Sequence, residues 1–367
     1  MLLESVAADG FRNLDGKFSC GNGLNIICGN NGHGKTNWLE AIHLLSTARS
    51  FRTARLSESI RFDSTTAIVR GEVRQSGQIV RTLQVILEGN TKTLTVNGKK
   101  ETVQRYLGQL HAFVFNSDEL AIVRGSPDSR RRFLDDGIVS IFPPFVQTLS
   151  DYNKVIRQKN KLLQDARKDE TPADKVAALL APWNEQLVTL ASRIHKARVR
   201  FVERLNEVLE EKLFDREELS IRYVSSLEGK GDLGDYDSLI AERLDLRTQA
   251  ELYSGYSLIG PHRDDLMINF DGREMRKFGS SGQQRSALLL LLLAGVSVFH
   301  EQQDEYPLFL IDDIDAELDY RRIARLLEYL EGKTQTFVST SKESFVDRFG
   351  EGTKLIRVSE GVASEES

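Results

Sequence analysis

Alternation of apolar and polar positions marks strands in the first third of the chain, at Leu24 to Cys28, Ala67 to Val73, Arg81 to Leu87 and Thr93 to Val96. Val96-Asn97-Gly98-Lys99 is a hairpin-type turn. From about Phe145 the period changes. Phe145, Leu149, Tyr152, Ile156 and Leu163 predict one helix, and Trp183, Leu187, Leu190, Ile194, Phe201, Leu205, Val208 and Leu209 predict a longer one. Gln164 to Pro182, dense in charge and holding Pro172, predicts a tip that joins them as antiparallel neighbours. Ser225 to Asp237 reads as a loop. From about Tyr256 the pattern returns to short strands, an apolar helix over Ser286 to Phe299 and a buried strand. There is no internal repeat, and the polar stretch after Ser359 reads as a low-complexity tail.

Composition adds limits. With 40% hydrophobic and 28% charged residues, the 367-residue chain is that of a folded globular protein. The longest apolar run, Ala287 to Val296, is shorter than the roughly 20 residues a bilayer needs. The first residues carry no secretion pattern, so a cytoplasmic protein with no membrane partner is expected. Cys20 and Cys28 are the only cysteines, which argues against a disulfide framework or a thiolate metal site. A net charge of -5 does not advertise a polyanionic partner, so any case for nucleic acid has to come from local patches.

The chemistry is concentrated in a few runs. Gly29-Asn30-Asn31-Gly32-His33-Gly34-Lys35-Thr36 fits the phosphate-loop pattern, with a buried strand before it and a helix from Asn37 after it. Backbone N–H groups in such a loop turn toward phosphate oxygens, Lys35 reaches the β- and γ-phosphates, and the Thr36 hydroxyl ligates Mg²⁺. ATP and Mg²⁺ are therefore the expected cofactors, with Asn30 through Asn37 as candidate contacts. His33 lies at a position that tolerates many side chains and is assigned no catalytic role. Pro307-Leu308-Phe309-Leu310-Ile311-Asp312-Asp313 is an apolar strand ending in two carboxylates. That form suits Asp312 as the metal carboxylate and Asp313 as the group that orients or deprotonates the attacking water. Ser281-Gly282-Gln283, ahead of the apolar helix, can hold an anion by backbone donors and helix dipole; alone it is as well an ordinary helix cap.

The order of these elements resembles the ABC-type ATPase heads of the chromosome-maintenance and double-strand-break-repair families. That resemblance implies that Ser281, Gly282 and Gln283 contact the γ-phosphate bound on the opposite subunit, and that Glu317-Leu318-Asp319 is the D-loop of an ATP-dependent homodimer. Longer runs resemble the RecF family of bacterial recombination mediators: Gly10-Phe11-Arg12-Asn13-Leu14, the block from Phe115 to Asp135, and Ile259-Gly260-Pro261-His262-Arg263-Asp264-Asp265-Leu266. The likeness covers nearly the whole chain. Two places depart from that family's pattern, Asn116-Ser117-Asp118 and Ile314-Asp315.

The resemblance implies an α/β fold: a P-loop ABC-type ATPase head built from both chain ends, residues 1–115 and 256–367, with an inserted, mostly helical arm over 116–255. It implies a weak, DNA-stimulated ATPase that dimerises on ATP and acts at gapped or single-strand/double-strand junction DNA. Recombination mediator proteins and the recombinase-loading machinery would be its partners. An aspartate at position 313, where transporter-type heads carry glutamate, fits a slow timer. A structural tether without functional hydrolysis, a P-loop phosphotransferase and a transporter ATPase subunit are the rival readings. Two basic clusters, Arg124 with Arg130, Arg131 and Arg132, and Arg193, His195, Lys196, Arg198, Arg200 and Arg204, fit either a phosphate backbone or internal ion pairing. His262 and Arg263 fit packing as well as DNA contact.

Overall fold

Two six-stranded sheets enclose the helix Lys35–Thr47, which follows the glycine-rich loop. This computed structural model describes residues 1–75, 79–210 and 218–365. The chain divides into two compact units, Met1–Leu120 with Ser281–Ser367, and Ala121–Ser280. The second boundary lies at Ser281 and not near Tyr256, because Asp265–Phe270 pairs antiparallel with Leu219–Val224 and belongs to the inserted unit.

In the first unit one sheet is antiparallel and runs Leu14–Ser19, Leu2–Phe11, Thr66–Arg74, Val80–Glu88, Thr91–Val96, Lys99–Lys100. The other runs Val362–Glu365, Lys354–Ser359, Leu24–Cys28, Thr336–Thr340, Leu308–Ile311, Ala112–Phe115; all its pairings are parallel except the first. Central parallel strands are covered on both faces, which is why Leu308–Ile311 and Thr336–Thr340 are buried at every position. Between the sheets, Trp38, Leu39, Ala41, Ile42, Leu44 and Leu45 are fully buried.

Three expectations for this unit change. The apolar helix starts at Ser281 and ends at Gln303, so Ser281-Gly282-Gln283 form its first turn and do not precede it. By length and composition that helix could cross a bilayer, but 72% of its most apolar window is buried inside the protein, as a core helix requires. The stretch after Ser359 is no low-complexity tail over its described part: Val362–Glu365 is an edge strand, with Glu365 accepting from the Ser19 N–H at 2.6 Å and Oγ at 2.7 Å. Residues 366–367 of that stretch lie outside the described residues.

The inserted unit is built on two antiparallel helices, Phe145–Lys168 and Ala173–Glu210. Their connection is short, over 169–172, so much of the expected tip is helical. Pro182 sits inside the second helix on an exposed face, and Ala178, whose carbonyl loses the usual helical donor there, is exposed as well. Around the pair lie Pro127–Ile141, Tyr236–Leu246, Thr248–Ser254 and a three-stranded sheet.

A fully buried ion pair staples three of these helices. Lys159 Nζ lies 2.7 Å from Glu251 Oε2, with both side chains at 0% exposure, and donates to Asn184 Oδ1 at 2.9 Å. Glu251 Oε1 accepts from the Leu258 N–H at 2.7 Å and Ser257 Oγ at 3.2 Å. Burial lowers the Lys159 pKa, and the Glu251 charge opposes that shift. Removing one partner strands the other charge, so Lys159→Met is expected to cost about 3–5 kcal/mol in chemical denaturation. A Lys159→Met/Glu251→Gln pair, which removes both charges and keeps an acceptor for Leu258 and Ser257, should recover most of the loss; equal stability of the single variant and the parent would show that the pair is not structural.

Candidate functional site

The glycine-rich loop leaves the carboxyl end of Leu24–Cys28 and turns into the helix Lys35–Thr47, at the sheet edge where ligands of open α/β sheets sit. Asn30, Asn31 and Gly32 are exposed, and His33 is half-buried. Gly34 caps the helix at φ +105, and a Cβ there would lie 2.9 Å from Asn13 Oδ1. Only glycine fits that turn. Lys35 is buried, and its Nζ donates to the carbonyls of Gly29 at 2.8 Å and Asn30 at 2.9 Å. The ammonium is thus aimed into the loop. Burial lowers its pKa, while the charges of Asp313 and Asp312 act the other way.

Across 276 residues of sequence, Thr36 Oγ1 donates to Asp312 Oδ1 at 2.9 Å. Leu308–Ile311 delivers Asp312 to the same sheet edge as the loop, one strand over, because Thr336–Thr340 lies between it and Leu24–Cys28. That middle strand contributes Ser339, whose Oγ donates to Asp312 Oδ1 at 2.6 Å and accepts from the Asp313 N–H at 2.8 Å. Desolvation raises the Asp312 pKa, and the bonds from Ser339 and Thr36 oppose it. A hydroxyl and a carboxylate side by side are hard oxygen donors of the kind Mg²⁺ takes through one or two protein ligands. Asp313 is exposed and held at φ +49, a strained position for a non-glycine residue.

A second layer of residues lies behind the loop, and of its members only Asn37 is among the candidate contacts read from the sequence. Glu40, fully buried on the loop helix, accepts from Arg12 Nε at 3.1 Å and Nη2 at 2.8 Å and from Ser50 Oγ at 2.6 Å. Asn37 donates from Nδ2 to Asn13 Oδ1 at 2.7 Å and accepts at Oδ1 from Arg52 at 2.6 Å. Arg52 also lowers the Asp312 pKa through its charge. The turn of the last hairpin meets the loop as well: the Gly361 N–H donates to the His33 carbonyl at 2.8 Å, and the Gly361 carbonyl accepts from Trp38 Nε1 at 3.2 Å. The sequence does not single out Ser339, which is one of three hydroxyl residues in Thr336–Thr340. It carries no signal for Gly361.

Ser281 is exposed in the first turn of its 23-residue helix, and no atom lies within 4 Å of a Cβ placed on Gly282. The bonds that join the loop to Asp312 come from Thr36 and Ser339, on other elements than Ser281, Gly282 and Gln283. Four residues into this helix, Arg285 Nε pairs with Glu317 Oε2 at 2.7 Å, and Arg322 donates to Ser286 Oγ at 2.6 Å. Asp319 caps the following helix through the N–H groups of Arg321 and Arg322. Glu317 and Arg322 thus tie Ser281's helix to the segment after Asp313.

Within the inserted unit, two residues of the first basic cluster and two of the second make the internal contacts that follow. Arg130, 2% exposed, forks onto both oxygens of Asp265 at 2.6 and 3.0 Å. Arg131 donates to the Asp264 carbonyl at 2.6 Å, and Arg198 forks onto Asp135 at 2.8 and 2.9 Å. His195 stacks on Tyr236. Arg124, Arg132, Arg193, Lys196 and Arg200 stay exposed. His262 Nδ1 pairs with the Tyr152 hydroxyl at 2.6 Å, and burial lowers its pKa to about 4, so it is neutral at pH 7 and acts in packing.

Residues 2–364 match the model of the RecF/RecN/SMC N-terminal domain. The DNA replication and repair protein RecF of Ligilactobacillus salivarius is 35% identical over 378 residues, covering 100% of this chain and 98% of the relative. RecF of Bacillus subtilis is 34% identical, covering 95% of each. Among solved structures, the recombination mediator protein RecF with ATP, of the RecFOR pathway, superposes with a TM-score of 0.90 at 31% identity, covering 100% of this chain and 97% of that one. An Smc head bound to the C-winged helix domain of ScpA shares the fold, with a TM-score of 0.55 at 17% identity and coverage of 100% and 98%.

Proposed function

Because the chain belongs to the RecF family, with an ABC-type ATPase head, we propose that it is a cytoplasmic ATP-dependent DNA-binding protein of recombinational repair, a dimer in its ATP-bound form. The observation that carries this reading is the meeting of Thr36 and Asp312 beside Lys35. Lys35 would hold the β- and γ-phosphates, and Thr36 and Asp312 would hold Mg²⁺. ATP with Mg²⁺ supplies a cleavable phosphoanhydride and a charge-neutralised γ-phosphate. Asp313 orients the attacking water and takes its proton. Ser339 positions both aspartates by bonding one carboxylate and one backbone N–H. Ser281, exposed at a helix N-terminus, contacts the γ-phosphate held by a second copy, so ATP joins two chains and hydrolysis releases them. DNA closed within the dimer would be gapped or junction DNA, met with mediator proteins that load recombinase.

Ser281→Arg tests the composite site. It is expected to keep ATP affinity and to lose ATP-driven dimerisation, with at least a tenfold rise in the concentration needed, as read by light scattering with and without ATP. DNA retention by ATP should fall in parallel across a salt series. A variant that dimerises normally sinks the trans-acting role, and parent protein whose DNA affinity ignores ATP sinks the clamp. An Asp313→Asn protein that hydrolyses ATP slowly yet releases DNA as fast as the parent would favour the tether.

A further inference from the structure

The solvent side of Phe145–Lys168 carries a patch that the nucleotide site and both basic clusters leave unused. Arg157, Lys161 and Lys168 are exposed. Spaced by four and seven, they form one stripe along the helix. None of the three makes an ion pair among the described residues. Asp165, one turn beyond Lys161, borders the stripe without pairing to it, and Asp169 and Glu170 fall in the turn after the helix. On the adjoining face, Asn160, Gln164 and Arg167 receive the turn that ends Thr248–Ser254. Asn160 Oδ1 accepts from the Ser257 N–H at 2.7 Å, and a methyl on Gly255 would stand 3.4 Å from Gln164 Cγ. This docking brings two exposed tyrosines to the face that adjoins the stripe, one of them against Arg167. Tyr253 is 81% exposed, with the Arg167 guanidinium 5.7 Å from its ring centre, and Tyr256 is 54% exposed.

Large aromatic rings left open to water next to unpaired cations match the combination that holds unpaired bases: cations along the phosphates, rings as stacking platforms. A duplex would use the stripe but not the rings, since its bases are already stacked. A protein partner would favour an apolar centre ringed by polar groups, whereas these rings stand at the margin of a charged row. We propose that this face binds single-stranded nucleic acid, with phosphates along Arg157, Lys161 and Lys168 and bases stacked on Tyr253 and Tyr256. The inference rests on the reading of the chain as a DNA-binding protein and adds which strand it holds and where.

The test uses the full-length protein with ATP, an oligo-dT of about 20 nucleotides and a duplex of equal length. Tyr253→Ala/Tyr256→Ala is expected to weaken oligo-dT binding by roughly thirtyfold to 10⁴-fold, at about 1–3 kcal/mol for each of two stacked bases. Duplex affinity, ATP-driven dimerisation and melting temperature should not move, because both rings are exposed. Tyr253→Trp/Tyr256→Trp should retain affinity and show fluorescence quenching on oligo-dT. Lys161→Glu should flatten the single-strand salt dependence by roughly 0.7 in log-log slope. Unchanged oligo-dT affinity in the double alanine variant overturns the proposal while leaving the duplex clamp intact, and so does an equal loss on both substrates. If duplex retention by the parent ignores ATP while oligo-dT binding still needs the tyrosines, the clamp reading fails and this one stands.

Discussion

Asp313→Asn is expected to slow ATP hydrolysis by roughly 10²–10⁴-fold, the span that general-base assistance contributes, while ATP binding stays intact. The amide keeps size and hydrogen-bonding shape but cannot take a proton. The fold is expected to survive: the side chain is exposed, and what fixes the residue is its backbone N–H on Ser339, which the substitution leaves in place. Asparagine also tolerates the left-handed backbone that Asp313 adopts at φ +49. The dimer should then persist on ATP, so slow turnover and long-lived DNA retention appear together. Phosphate-release kinetics with light scattering check both, and an Asp313→Asn rate within a factor of a few of the parent would remove Asp313 from the chemistry. Asp312 makes a poor substitute base, since its Oδ1 already accepts from Thr36 and Ser339.

Gly361→Val is expected to lower ATP affinity by about a hundredfold, although position 361 lies far along the chain from the phosphate loop. A Cβ at Gly361 would stand 1.8 Å from the Asn13 carbonyl oxygen, and the residue sits at φ +87. Neither contact nor backbone can accept a side chain, so the hairpin turn has to withdraw. Withdrawal breaks the bonds to the His33 carbonyl and from Trp38 Nε1. Two hydrogen bonds at about 1 kcal/mol each, with about 1 kcal/mol of left-handed strain, amount to roughly two decades of affinity if the loss falls on loop geometry. The neighbouring Glu360→Ala leaves Gly361 in place and should bind ATP normally. Calorimetric titration of both variants decides the matter, with thermal melting beside it. Full ATP affinity in Gly361→Val would mean that the loop holds its shape without the hairpin.

Both substitutions sit at positions where a local pattern meets a distant partner, and they divide what could be read early from what could not. The loop from Gly29 to Thr36 is contiguous, and so is the apolar strand that ends at Asp312; each carries its chemistry in adjacent residues. The helices of the inserted unit were legible because Phe145 to Leu163 and Trp183 to Leu209 repeat their apolar face over many turns. Their ends were not, since Pro182 looks like a breaker until its exposure is known. Val362–Glu365 was hidden for a related reason: an edge strand of four residues gains its hydrogen bonds from Lys354–Ser359 and is too short to show a period of its own.

The basic residues make the same point with charge. Arg130 and Arg132 are two positions apart in one run, yet Arg130 is buried on Asp265 and Arg132 is exposed. Only the partner, 135 residues away, separates them. By itself the sequence determined the α/β class, the phosphate loop and the family resemblance, because each rests on spacing along the chain. Tertiary structure decided which hydroxyls share Asp312, which arginines stay available to a ligand and which glycine supports the loop. Those outcomes depend on burial and on contacts between segments hundreds of residues apart, and spacing along the chain does not encode them.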